Sequence, residues 1–142
     1  MSTCLNFDDI VALGEPQVAL LQKVGDSFPD SEHPGACIAF TRQVRILESF
    51  LTQTYAVAAS IARKSDDLSE VSKIWDRMGM FCTVALHVLT GLKSKYPYCG
   101  TPELHALALD YKLACSKRYR NTLEEIECQK NQLPKGLFPE MI

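Results

Sequence analysis

The side chains of this sequence best suited to chemistry are three histidines, His33, His87 and His105, and six cysteines, Cys4, Cys37, Cys82, Cys99, Cys115 and Cys128. Metal capture by cysteine asks for a close repeat such as C-x-x-C, and none occurs. The histidines are equally scattered. None belongs to H-x-x-x-H, H-E-x-x-H or E-x-x-H, the spacings that set two ligands on one helix face. Glu103 stands two positions before His105, so on a helix the two side chains diverge. No metal and no cofactor is expected. No local signature surrounds any cysteine that would mark a nucleophile. Gly14, Gly25, Gly35 and Gly100 are isolated rather than gathered into a phosphate-cradling loop. A non-enzymatic protein is the reading these absences favour.

One histidine has a more specific context, the run Ala85-Leu86-His87-Val88-Leu89-Thr90-Gly91-Leu92-Lys93. The run resembles the motif of phosphotransfer-histidine domains, in which a helix-borne histidine is followed by a leucine, a lysine and a glycine. The match reaches His87, Leu89 and Gly91. Thr90 stands where that family has its lysine, with Lys93 and Lys95 as nearby cations, and Tyr96-Pro97-Tyr98 interrupts the chain where the family's helix continues. The resemblance implies a four-helix bundle with His87 as phosphoacceptor and a response-regulator partner. Taken by itself, His87 also fits a helix-end histidine that shares its proton with solvent or a backbone carbonyl.

The elements that must position these residues are helices. A loop rich in turn formers covers Gly25 to Gly35, and from Ala36 to Lys64 there is neither Gly nor Pro. Within that stretch Phe40, Val44, Leu47, Leu51, Thr54, Ala58 and Ile61 recur in steps of four and three, which predicts a helix over 36–64. Asp67 followed by Glu70 starts another over 67–95, carried by Val71, Ile74, Met78, Phe81, Ala85, Val88 and Leu92. Thr101-Pro102-Glu103 predicts a third long helix over 101–130, with Thr101 as the cap and Pro102 at the first helical position. Residues 6–24 read as two short helices or one kinked at Pro16, and residues 131–142 as an irregular, apolar tail. No strand alternation of useful length occurs.

Short connections between long amphipathic helices favour an all-α, antiparallel four-helix bundle, one domain over 1–142. Its expected core is Phe40, Val44, Leu47, Leu51, Ile74, Met78, Phe81, Val88, Leu104, Tyr111, Cys115 and Ile126.

Charge and apolar surplus narrow the partners. With 15 basic against 17 acidic residues, the chain lacks the cationic excess that displaces counterions from nucleic acid. The basic stretch Lys112 to Arg120 is followed by Glu124, Glu125 and Glu127, so Arg118 and Arg120 are expected to pair with Glu125 and Glu124. No apolar run approaches the ~20 residues needed to span a bilayer. The first residues lack a basic and apolar leader, so reduced cysteines in the cytoplasm are expected, with Cys82 and Cys115 as core thiols. The long helices are apolar over a wide arc. Ile38, Ile46, Phe50, Tyr55, Val57, Met80 and Leu86 lie partly off the main stripes. Phe50 and Met80, with Leu137 and Phe138 of the tail, are the candidate interaction surface of a homodimer or larger assembly. A small-molecule carrier with an interhelical cavity near Trp75, Met78, Met80 and Phe81 is a further reading.

Overall fold

The computed structural model describes residues 6–137, with side chains described as far as Asn131. Four helices follow one another: α1 (Phe7–Asp26), α2 (Ala36–Lys64), α3 (Leu68–Leu92) and α4 (Thr101–Leu137). Contacts along their length show an up-down-up-down bundle. Gln17 of α1 meets Gln43 of α2, Glu15 meets Arg77 of α3, Thr90 of α3 meets His105 of α4, and Tyr111 of α4 meets Thr52 of α2. Helices α1 and α3 therefore run parallel, as do α2 and α4, and sequential neighbours run antiparallel. Among the described residues α1 and α4 do not touch.

Local chemistry explains where each helix begins. Asn6 accepts from the Asp9 amide at 2.8 Å while the Asp9 carboxylate accepts from the Asn6 amide, a reciprocal cap. Asp67 accepts from the amides of Ser69 and Glu70, as its spacing predicts. Helices α2 and α4 start differently, each after a left-handed glycine, Gly35 at φ 84° and Gly100 at φ 83°. The Leu104 amide bonds the Gly100 carbonyl at 2.9 Å, so Gly100 holds the cap position expected of Thr101. Thr101 is instead drawn fully inside, its hydroxyl without a protein partner.

Proline decides less than its sequence position suggests. Helix α1 runs unbroken through Pro16, and α4 passes Lys130 and Pro134 to reach Leu137. Of the two readings of residues 6–24, the single helix through Pro16 is the one formed, and the expected irregular segment over 131–137 is replaced by helix. A proline withholds one amide from the carbonyl four residues earlier. Those carbonyls belong to Ala12 and Lys130, both exposed residues, where water can serve as donor. Leu137 ends α4 with its side chain outside the described set, and Phe138 to Ile142 lie outside the described residues.

The core contains Phe40, Leu47, Leu51, Met78, Phe81, Leu89 and Leu104, all fully buried. Val88 and Tyr111, expected in it, are half-buried at its edge, and Ile126 is half-buried outside it. Two glycines let α1 approach α3: a Cβ on Gly14 would lie 2.7 Å from the Phe81 ring, and one on Gly25 2.7 Å from Leu92. No helix of the described residues is long and apolar enough to cross a membrane.

Candidate functional site

The parallel course of α2 and α4 brings their first turns to one end of the bundle, and with them two cysteines remote in sequence. Cys37 is the second residue of α2, and Cys99 directly precedes the glycine that caps α4. The Cys99 thiol donates to the Cys37 sulfur at an Sγ–Sγ distance of 3.0 Å. Cys37 is exposed, whereas Cys99 is buried. The pair is asymmetric in charge as well. Hydrogen bonds from Cys99 and from the Thr41 hydroxyl, 3.7 Å away, hold the Cys37 thiol below the ordinary thiol range. Burial and the bond it donates to Cys37 push Cys99 up.

The loop that carries Cys99 is anchored by its neighbours. Tyr96 is fully buried, stacks on Phe40 at 3.8 Å with an interplanar angle of 8°, and donates its hydroxyl to the Gly25 carbonyl at 2.9 Å. Burial, and after it the nearby acidic groups, push the Tyr96 hydroxyl up, which keeps it a protonated donor. Lys95 donates to the same carbonyl at 2.7 Å. Ser27 takes the two preceding carbonyls, its hydroxyl bonding Lys23 and its amide bonding Val24. The open end of α1 is thereby closed from the α3–α4 connection. Tyr96, read from sequence only as part of a helix stop, is a keystone of this end.

Along the outer face of α2, starting at Cys37, runs an open depression of about 610 Å³ lined by Cys37, Ile38, Thr41, Arg42, Arg45, Ile46 and Ser49. Ile38 is 70% exposed. The face thus offers aliphatic contact beside two guanidiniums. Phe50, one turn further on, is half-buried, with its ring next to Gly14 of α1. It is therefore largely a packing residue. Met80 of α3 is 54% exposed and remains available.

His87 projects from α3 as an exposed residue, one turn before Gly91, where a Cβ would meet nothing within 4 Å. Thr90, in the lysine position of the resembled motif, is within hydrogen-bond reach of the His105 Nε2 at 3.3 Å. Lys95 is committed to Gly25, which leaves exposed Lys93 as the nearer cation in sequence. His33 lies in the first loop, bonded through Nδ1 to the Pro34 carbonyl. No cluster of three metal-binding side chains occurs among the described residues.

A second thiol pair lies inside the bundle. Cys82 of α3 and Cys115 of α4 are both buried. Hydrogen bonding to Cys115 and burial push the Cys82 thiol far above the ordinary range. Nearby, Trp75 and Met80 edge an open groove of about 180 Å³ between α3 and α4, while Met78 and Phe81 are sealed in the core. These four residues therefore do not share one cavity. Arg118 stacks over the Trp75 ring at 5.1 Å rather than pairing with Glu125, and the ion pairs among the described residues are those of Arg77 with Asp8 and Glu15.

Comparison with known proteins yields no matching family model, no matching curated protein and no matching solved structure.

Proposed function

We propose that the chain is a non-enzymatic interaction module whose outer α2 face receives an acidic amphipathic helix of a partner protein. The observation that carries this reading is the exposure of Ile38 beside Arg42, Arg45 and Ile46 along one depression. Aliphatic side chains left in water favour burial against a partner, and the two guanidiniums select one with carboxylates at its rim. Helix-in-groove recognition uses this combination, with apolar anchors at helical spacing and charges beside them.

The probe is a synthetic helical peptide with leucines on one face flanked by glutamates, followed by fluorescence anisotropy. Binding to wild type should weaken by about tenfold or more in Ile38→Glu and in Arg42→Glu, the loss expected for an anchor or a close charge. A lysine-flanked version binding equally well, or no binding of either, would remove the reading. A dimer seen by light scattering and dissolved by Ile38→Glu would reassign the face to a second copy, as a homodimer.

The exposure of His87 beside the open space at Gly91 supports a second reading, a phosphotransfer role. Phosphoramidate should then place acid-labile phosphate on wild type and none on His87→Gln. Equal labelling of both rejects it.

A further inference from the structure

We propose that Cys37 and Cys99 form a thiol–disulfide exchange site that takes small anionic disulfides, with Cys37 as the attacking thiol and Cys99 as the resolving thiol. The proposal stands apart from the docking reading, because it rests on the thiols themselves. Their sulfurs are 3.0 Å apart, already in contact, and closure to the ~2.05 Å of a disulfide asks for a shift of about 1 Å. Access is ordered as a two-step exchange needs. Cys37 is open to solvent, and Cys99 lies beneath it, 4% exposed, reachable from Cys37 but scarcely from bulk water.

The surroundings favour a thiolate at Cys37 and an anion beside it. Cys37 is in the first turn of α2, a turn without acidic residues, and Gly35 supplies no side chain to cap its amides. The positive end of the helix is thus left for the sulfur. Arg42 and Arg45 line the depression that opens from Cys37, where they can meet the carboxylates of a disulfide such as oxidised glutathione.

In the first step the Cys37 thiolate attacks one sulfur of the small disulfide; a protein–glutathione S–S bond forms, and one glutathione thiolate leaves. In the second step the Cys99 sulfur attacks the Cys37 sulfur, the mixed disulfide breaks, and the second glutathione thiolate departs with the Cys99 proton. The protein loses two electrons and two protons, and one disulfide becomes two thiols. The product bond staples the start of α2 to the connection before α4.

The test treats the reduced full-length protein with oxidised glutathione and follows intact mass and cysteine-linked peptides. In a Cys128→Ser background, which removes an exposed thiol outside the pair, the protein should yield a Cys37–Cys99 peptide that reductant releases, with no glutathione on either of these two cysteines. Cys99→Ser should stop at a stable glutathione adduct on Cys37, and Cys37→Ser should form neither product. A wild-type protein that keeps glutathione on Cys37 with Cys99 still free to alkylate would overturn the proposal. A cross-link joining any other two cysteines, or a Cys99→Ser protein left unmodified, would do the same. Exchange should also run faster with oxidised glutathione than with cationic cystamine, and Arg42→Gln with Arg45→Gln should erase that preference; a preference for cystamine in wild type would overturn the assigned substrate class.

Discussion

The bundle contains two cysteine pairs that differ in everything except composition. Cys37 and Cys99 meet at the end where α2 and α4 begin, one exposed and one buried. Cys82 and Cys115 meet in the α3–α4 interface, 0% and 1% exposed. The inner thiols behave as small apolar side chains filling space between helices, Cys82 sealed in the core and Cys115 at the floor of the α3–α4 groove. The outer pair keeps one sulfur in water and against the positive end of a helix, which is where a thiol becomes a nucleophile. Position in the fold, rather than residue type, separates packing from chemistry.

The largest contrast should appear in alkylation of the native protein by iodoacetamide, read by peptide mass. Modification of Cys82 requires the bundle to open, and an opening of about 4 kcal/mol slows it by roughly 10³ relative to Cys37, with Cys115, at the floor of the α3–α4 groove, reacting between the two. Comparable rates would show that the α3–α4 interface breathes. The pH profile sharpens the point. Because the nucleophile is the thiolate and the Cys37 thiol is held below the ordinary range, its alkylation in Cys99→Ser or wild type should rise at lower pH than that of a free thiol. The shift should be smaller in Cys99→Ser, which alters the largest stabilising bond.

The same contrast should hold for stability. Phe81→Ala empties the core beside α1 and should cost about 3–5 kcal/mol, whereas Ile38→Ala on the open face should change stability by less than ~0.5 kcal/mol. Urea midpoints measure both; a large loss at Ile38 would mean that this residue is already packed.

Glycine substitutions should fall below the Phe81→Ala loss and differ in sign between Gly14 of α1 and Gly91 of α3. Gly14→Ala forces a methyl against the Phe81 ring and should cost about 1–3 kcal/mol. Gly91→Ala, with open space around it, should stabilise by up to ~1 kcal/mol. In a Phe81→Leu background the Gly14→Ala cost should shrink, since the ring it collides with is gone. Equal costs in both backgrounds would place the strain elsewhere.

The four helices were legible from local pattern, because apolar side chains repeating every three or four residues report the face that must leave water. Asp67 as a cap and Cys82 and Cys115 as core thiols were readable for the same reason. The extension of α4 past Pro134 was misread, and Pro16 left one helix and two equally open, because water at exposed carbonyls compensates what proline withholds. The half-burial of Phe50 was not legible, because its ring packs beside Gly14, a residue with no side chain to announce a contact. The Cys37–Cys99 pair carried a faint signal: each cysteine adjoins the start of an even-numbered helix, and an alternating bundle must place those starts at one end. Neither sequence neighbour nor spacing made the pair visible.

Periodicity and capping chemistry are local, so the sequence alone determined the helices, their alternation and the main apolar stripes. Which side chains meet across the bundle depends on helix rotation and close approach, set jointly by all four helices. Only the tertiary structure therefore decided that Cys99 lies under Cys37, that Tyr96 closes the end of α1, and that Ile38, Arg42 and Arg45 face water.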